Sequence, residues 1–239
     1  METEVKTNVR GAVYYPGDAH INPNQLIQNL IKFLKNKGVI FKTTDADVSI
    51  KELSNQVAIT TQEGVFNFDE LVIATGAWSP MITERLGFSL PLQGGKGYSF
   101  MLNDVAKNVK IPAIMLEARA TATPMNNNLR FAGTMEIAGT DLSVNMKRVS
   151  GIVNAINQYY PEIPVLMPQP ENVWRGLRPC SPDGLPYIGR LKNHKNITLA
   201  TGHGMMGISL GPATGKLVAQ IVLNETTEMP LDAFNPLRF

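Results

Sequence analysis

The sequence is poor in the residues that build covalent or metal-based scaffolds. Its 239 residues include one cysteine, Cys180, and three histidines that lie far apart in the chain. A single cysteine excludes an internal disulfide, and no cysteine–histidine spacing is typical of a zinc site. We therefore predict no metal site, and the composition is typical of a reducing compartment.

Excess charge of one sign and long apolar runs are also missing. The 22 Lys and Arg residues against 20 Asp and Glu residues leave a formal net charge of +2, and the basic residues are scattered. This balance indicates no nucleic-acid partner, because such partners require a clustered basic surface. No apolar run is long enough to span a bilayer, and residues 1–10 contain no apolar signal-peptide core. We therefore expect no transmembrane segment.

What is present is a glycine-rich stretch at residues 196–223, which predicts a strand, a turn and a helix. Ile197 to Ala200 are apolar and β-prone, and apolar residues from Ile208 onward share one helical face. The turn between them is crowded with glycines, at Gly202, Gly204 and Gly207. The first turn of a helix carries free N–H groups and the positive end of the helix dipole, which suits an anion. By itself the pattern leaves a ligand site and an ordinary α/β turn equally open.

The first third of the chain predicts a helix and several strands. A helix from Pro23 is capped by Asn22 and ends at Gly38, and a strand follows over Val39–Lys42. Further strands are predicted over Ala46–Ile50, Gln56–Thr61, Val65–Phe68 and Leu71–Ala74. The last of these reads as buried on both faces and leads directly into a second glycine turn, at Gly76.

The middle of the chain is rich in strands, and its end returns to the strand–glycine–helix pattern. Leu90–Leu102 is extended, strands follow over Pro112–Arg119, Ala120–Met125 and Leu129–Glu136, and residues 141–160 predict a helix. A strand over Val173–Leu177 precedes a Pro- and Gly-rich loop. The last helix ends near Asn224, and the tail over Leu231–Phe239 is interpreted as an ordered surface strap. This order of strands and helices along the chain predicts an α/β (α+β) fold, in which an antiparallel sheet is inserted into an α/β layer.

Five motifs occur in a fixed order: ATGAWSP, PLQGGKGYSF, TMEIAG, WRGLRPCSPDGLPYIG and NITLATGHGMMG. In this order they resemble the FAD-dependent amino-acid oxidoreductases of the D-amino-acid oxidase superfamily, and bacterial D-amino-acid dehydrogenases in particular. The resemblance implies that residues 1–87 form part of an FAD-binding domain with a β-ribbon. It also implies a substrate-binding antiparallel sheet over 88–175 and a return to the FAD-binding domain over 176–239.

One feature of that family is missing from the sequence. Its members begin with a strand–GxGxxG–helix unit that holds the ADP part of FAD, whereas the one GxGxxG here, GHGMMG at residues 202–207, lies late in the chain, in the turn matched to the flavin ring. The resemblance therefore implies that the chain is the C-terminal part of a longer enzyme. We expect this chain by itself to bind FAD weakly or not at all and to be inactive.

Two side chains match the family's substrate contacts, and they are the predicted catalytic residues. Arg178 matches the arginine that pairs with the substrate carboxylate, to which a guanidinium makes two parallel hydrogen bonds. Tyr98 matches a strand tyrosine whose hydroxyl reaches the same carboxylate. The alternatives are a structural arginine before a proline turn and a tyrosine in the core of a sheet.

The residues matched to the flavin lie in the two glycine turns. The exit of the first strand supplies Ala74, Thr75, Gly76 and Trp78. The second turn supplies Gly202, His203, Gly204, Met205, Met206, Gly207 and Ile208, whose N–H groups would stabilise negative charge on the reduced ring.

Three further positions have a weaker match to the family. Val48 matches a backbone contact to adenine, with simple ribbon packing equally open. Glu136 is interpreted as half of a hairpin salt bridge rather than as a flavin neighbour. Cys180 has no neighbouring base in the sequence, so we expect no covalent flavin attachment there.

The implied reaction is hydride transfer from the substrate Cα to flavin, giving an imine and then a 2-oxo acid and ammonia, a step of amino-acid catabolism. Glycine or sarcosine oxidase-like and hydroxyproline dehydrogenase-like activities are alternatives, because substrate choice depends on pocket shape. A non-catalytic carboxylate-binding domain is another. The partners implied are a small amino acid and an electron acceptor, either a quinone or another carrier. The implied location is the cytoplasm or the periphery of the inner membrane.

Overall fold

The computed structural model describes residues 2–44 and 48–239. The chain divides into two compact units. The first comprises Met1–Lys42, Gly97–Met135 and Ser143–Arg175, and the second comprises Thr43–Lys96, Glu136–Leu142 and Gly176–Phe239. The three-part division at residues 87 and 175 stays a prediction.

Helices and strands both contribute to the fold, which confirms the predicted mixture of α and β structure. The helices are α1 (Pro23–Asn36), α2 (Ser79–Arg85), α3 (Met146–Tyr159) and α4 (Gly207–Val222). The strands are β1 (Ser49–Glu52), β2 (Val57–Thr61), β3 (Gly64–Phe68), β4 (Leu71–Ile73), β5 (Gln93–Leu102), β6 (Ala113–Met115), β7 (Ala120–Met125), β8 (Asn128–Ile137), β9 (Trp174–Cys180), β10 (Tyr187–Arg190) and β11 (Ile197–Thr201).

The core of the first unit lies between α3 and strands of a five-stranded sheet of order β6-β7-β8-β5-β9. Strands β5, β8 and β9 are each divided between the two units. Val149 and Ile156 of α3 are buried with Phe100 and Phe131 of the sheet, whose ring centroids are 5.7 Å apart. The β7–β8 hairpin pairs Met125 with Asn128, so its turn falls within the three asparagines as predicted.

The second unit contains two small sheets. The antiparallel ribbon β1-β2-β3 confirms the predicted meander. The other sheet has the order β10-β11-β4, in which β11 runs parallel to β4 and antiparallel to β10. Because β4 and β11 are parallel, their carboxyl ends meet at one edge, where both glycine turns begin.

Some predicted elements are wrong in type or in length. Residues 39–42 form no strand, and Ile40 is 83% exposed, because no strand among the described residues pairs with this apolar run. Helix α3 begins at Met146 rather than at residue 141, since the Asn145 side chain accepts a hydrogen bond from the N–H of Lys147 and caps it.

Other strand boundaries also shift. The strand predicted over Pro112–Arg119 shortens to β6, which ends at Met115 before a turn. The strand predicted from Ala46 to Ile50 starts at Ser49, and Ala46 lies outside the described residues. Strand β10 occupies part of a segment predicted as loop.

Candidate functional site

The turn that joins β11 to α4, here called the glycine bend (residues 202–207), has a backbone that favours glycine. Gly202 has φ +85° and Gly204 has φ +53°, in the left-handed region. A Cβ on Gly202 would lie 3.0 Å from Cδ2 of Tyr187, so this position has neither the conformation nor the space for a side chain. A Cβ on Gly204 would have no atom within 4 Å, so space beside the bend is open.

A chain of hydroxyl hydrogen bonds connects the glycine bend with the other predicted turn, after β4. Thr201, which ends β11, donates to the carbonyl of Gly76 over 3.1 Å and accepts from the Ser79 hydroxyl over 3.2 Å. Ser79 in turn lies 3.0 Å from the hydroxyl of Thr75. The structure therefore brings Ala74, Thr75, Gly76 and Trp78 close to the start of the bend. Gly76 has φ +58°, which favours glycine, and a Cβ added there would meet no atom within 4 Å.

The end of strand β9 carries Arg178 to the same bend. The N–H of Gly204 donates to the carbonyl of Pro179 over 2.9 Å, and Cys180 forms an isolated β-bridge with His203. Burial lowers the pKa of the Arg178 guanidinium, but an arginine keeps its charge at physiological pH. The strand end that is hydrogen-bonded to the bend therefore carries a half-buried cation, the guanidinium of Arg178.

His203 fastens the bend to α4. Its Nε2 lies 2.8 Å from the hydroxyl of Thr214, one of the two buried residues of α4. Burial lowers the pKa of His203, so the neutral imidazole is favoured. This contact fixes the His203 side chain against α4.

The first turn of α4 is well suited to negative charge. Its N-cap is Met206, which makes no side-chain capping bond, and Met205, Met206 and Ile208 are exposed. The first N–H groups of a helix have no partner within the helix, and the positive end of its dipole lies there. With the open space beside Gly204 and Gly76, these N–H groups could hold a negatively charged group of a ligand.

The remaining predicted site residues have different surroundings. Tyr98 is 1% exposed in the core of the first unit, and its hydroxyl accepts a hydrogen bond from the N–H of Asn145 over 3.2 Å. This position favours the core alternative, and the carboxylate contact of Tyr98 stays a prediction. The carbonyl of Val48 accepts a 2.7 Å hydrogen bond from Arg85. Trp78 is exposed, and Glu136 lies partly buried in β8.

Sequence reasoning missed Ser79 and Thr201, which connect the two turns, and also Thr214 and Tyr187, which contact His203 and Gly202 of the bend. The only local signal was a hydroxyl residue directly after each buried apolar strand. Within residues 2–44 and 48–239, no group of His, Cys, Asp and Glu side chains is arranged to bind a metal ion. Over the same residues, every helix is too short or too polar to cross a bilayer.

Two parallel strands whose ends carry glycine turns, with a helix N-terminus at one of them, are typical of α/β proteins that bind an anion or a nucleotide. Residues 1–221 match the family described as FAD dependent oxidoreductase. The chain belongs to this family, and the predicted recognition is confirmed.

Curated relatives are oxidases and dehydrogenases of D-amino acids. The D-amino-acid oxidase of Bradyrhizobium diazoefficiens is 35% identical over 184 residues, which are 77% of this chain and 44% of the relative. The D-amino acid dehydrogenase of Vibrio atlanticus is 29% identical over 239 residues, covering 99% of this chain and 57% of the relative. The chain thus spans about half the length of these relatives.

Solved structures show the same fold. Glycine oxidase from Geobacillus kaustophilus superposes with a TM-score of 0.67 at 28% identity, over 81% of this chain and 52% of that protein. L-proline dehydrogenase from P. horikoshii gives a TM-score of 0.80 at 21% identity, over 91% of this chain and 59% of that protein. At 21% identity, the likeness to L-proline dehydrogenase shows a shared fold and no more.

Proposed function

We propose that this chain carries the flavin-ring and carboxylate-binding part of an FAD-dependent enzyme that oxidises a small amino acid, with D-amino acids as the leading substrates. The observation that carries the proposal is the junction of three elements in the second unit. The Gly76 turn, the glycine bend and the strand end that follows Arg178 are connected by hydrogen bonds. The oxidase and dehydrogenase names of the relatives support the substrate class.

In this proposal, Arg178 binds the carboxylate of the substrate. A guanidinium offers two parallel charge-assisted hydrogen bonds to a carboxylate, and these are stronger where water is partly excluded. The attachment of Pro179 and Cys180 to the bend would keep the carboxylate in one orientation. Orientation of this kind supplies much of the rate enhancement when the cofactor performs the bond-breaking chemistry.

The glycine bend would contribute electrostatic stabilisation. Bound flavin supplies the hydride acceptor, and negative charge develops on its pyrimidine edge as it is reduced. The uncapped N–H groups at the start of α4 would favour that charge, and so hydride transfer, because they act only as the charge appears. The resulting imine would hydrolyse to a 2-oxo acid and ammonia.

We also propose that a separate dinucleotide-binding segment completes the site. The one GxGxxG of the sequence, residues 202–207, forms the glycine bend, and the sequence contains no second one for the ADP part of FAD. Strand β4 is an edge strand, and Val72 on it is exposed, together with Ile208 and Leu210 of α4. Parallel sheets in α/β proteins are normally covered on both faces, so this apolar surface supports an additional strand and helix. The chain alone should therefore bind FAD weakly and be inactive.

The test is to join this chain to the part of the Vibrio atlanticus dehydrogenase that it does not match, and to record the visible spectrum. We expect bound flavin that is bleached anaerobically by a D-amino acid. Arg178→Ala should lower kcat/KM about 100-fold, mainly through KM, because two hydrogen bonds to a charged group contribute roughly 3 kcal/mol. Arg178→Lys should recover only part of this loss.

Arg148→Ala, at an exposed position of α3, is the matched control and should leave kcat/KM unchanged. Bleaching by glycine or L-proline, with none by D-amino acids, would shift the assignment to those substrates. A flavin-containing protein whose kcat/KM is the same with and without Arg178 would contradict the proposal. A colourless protein that binds small carboxylates would support the non-catalytic alternative.

A further inference from the structure

Every N–H group of one arginine near the end of the chain is used in a hydrogen bond. Nε and Nη2 of Arg238 donate to the two carboxylate oxygens of Asp183 over 2.8 and 2.9 Å. Nη2 also donates to the carbonyl of Leu185 over 2.7 Å, and Nη1 donates to those of Pro186 and Asn235 over 3.3 and 3.2 Å. Only 11% of the Arg238 side chain is exposed. Exposed end residues rarely make so many specific contacts.

All of these acceptors except the carbonyl of Asn235 lie on the loop that follows Arg178. We call residues 181–186, which connect β9 to β10, the β9–β10 loop. Asp183 also accepts from the N–H of Leu185, and the Ser181 hydroxyl donates to the carbonyl of Leu185 over 2.7 Å. The hydrogen bonds from Arg238 hold the pKa of Asp183 far below its usual range, although burial acts in the opposite direction. The β9–β10 loop is therefore bound to Arg238 through the carboxylate of Asp183 and the carbonyls of Leu185 and Pro186.

The same guanidinium is stacked on the residue that supports the glycine bend. Cζ of Arg238 lies 4.0 Å from the centre of the Tyr187 ring. Tyr187 is fully buried, and its hydroxyl donates to the carbonyl of Pro91 over 2.7 Å. Gly202 packs on Tyr187 closely enough that an added Cβ would come within 3.0 Å of the ring. Arg238, Tyr187 and Gly202 thus form a continuous packed row from the tail to the bend.

We propose that Arg238 is a positioning residue for the candidate site, which it supports through the β9–β10 loop and through Tyr187. It touches neither Arg178 nor the α4 N-terminus in the contacts described above, so it acts through residues that do contact the bend. Its effect on substrate binding rests on the proposed function, whereas its effect on the bend does not.

Hydrogen–deuterium exchange of this chain tests the effect on the bend. Arg238→Ala should speed amide exchange at least about tenfold in residues 183–185 and 202–206, because the contacts that limit local opening are lost. Exchange in residues 120–135 of the first unit should not change. Arg238→Lys, which keeps the charge but not the planar fork, should give an intermediate effect.

Lys216→Ala is the matched control, because it breaks an exposed ion pair with Glu228 in the same unit. It should leave exchange in the bend unchanged. If Arg238→Ala fails to fold, Asp183→Asn supplies the same test, since it removes the charge of the carboxylate and keeps its shape. Unchanged exchange at 202–206 in a folded variant of either kind would overturn the proposal.

A second measurement uses the flavin-containing fusion with the dinucleotide-binding segment. There Arg238→Ala should raise KM for the amino acid several-fold with a smaller change in kcat, and Arg238→Lys should recover part of the loss. An unchanged KM would overturn the effect on substrate binding. If the fusion binds no flavin, the proposed function fails, and the exchange experiment still decides the role of Arg238.

Discussion

At the residue scale, the protonation of His203 in the glycine bend makes the stability of the folded chain depend on pH. Burial lowers the pKa of this imidazole, so the folded protein binds the proton less readily than the unfolded chain does. The contribution of His203 to stability is therefore fully present above the pKa of a histidine in the unfolded chain, about 6.5. It is lost as the pH falls below that value, because protons then favour the unfolded state.

We expect the free energy of unfolding to decrease between pH 7.5 and pH 5.5, as measured by urea titration of tryptophan fluorescence. His203→Gln should reduce this pH dependence, because a glutamine amide can still form a hydrogen bond with the Thr214 hydroxyl and does not titrate. Other groups also titrate in this range, so the prediction concerns the difference between the two proteins. Identical pH slopes would show that His203 is not a source of the effect.

At the scale of elements, strand β11 contains two buried threonines with opposite surroundings. The hydroxyl of Thr201 both donates and accepts, whereas the hydroxyl of Thr198 has no partner among the described residues. Thr201→Val should cost about 1–3 kcal/mol, because it removes the hydrogen bond to the Gly76 carbonyl and the one from the Ser79 hydroxyl. Thr198→Val should be neutral or stabilising. Chemical denaturation of both variants measures the difference.

The pair is a matched comparison, because the two substitutions are the same and lie on one strand, so intrinsic β-propensity cancels. Equal losses of stability would contradict a connecting role for Thr201. A loss confined to Thr201→Val would show that the junction of the two glycine turns depends on side-chain hydroxyls rather than on strand pairing alone.

At the scale of the whole molecule, α1 has an apolar face that is not covered. None of its residues is buried, and Leu26, Ile27, Leu30 and Phe33 are 43–56% exposed. Exposed apolar faces of this kind favour association. We expect the chain to self-associate as its concentration rises, and Leu30→Gln with Phe33→Gln to reduce that association with little loss of stability.

Light scattering coupled to size-exclusion chromatography measures the association. Lys32→Gln on the same helix is the control and should leave it unchanged, because it removes no apolar surface. Association that persists undiminished in the double variant would place the interacting surface elsewhere.

The sequence by itself determined the features that depend on neighbouring residues. Helix α1 begins at Pro23 after its Asn22 cap, and the β7–β8 turn falls within the asparagines, because capping and turn chemistry act over a few residues. The ordered motifs likewise identified the family. The apolar run at 39–42 was misread as a strand, since pairing depends on a distant partner that the run itself does not reveal.

Only the tertiary structure decided how the candidate site is assembled. Ser79 and Thr201 are 122 residues apart in the chain, yet their hydroxyls join the two glycine turns. Arg238 holds a loop 55 residues earlier, and Tyr98 turns to the core rather than to an open surface. Such contacts depend on which faces of the strands meet after folding. No local sequence pattern predicts these contacts, because neither partner has a distinctive sequence neighbourhood and only the fold places the two side by side.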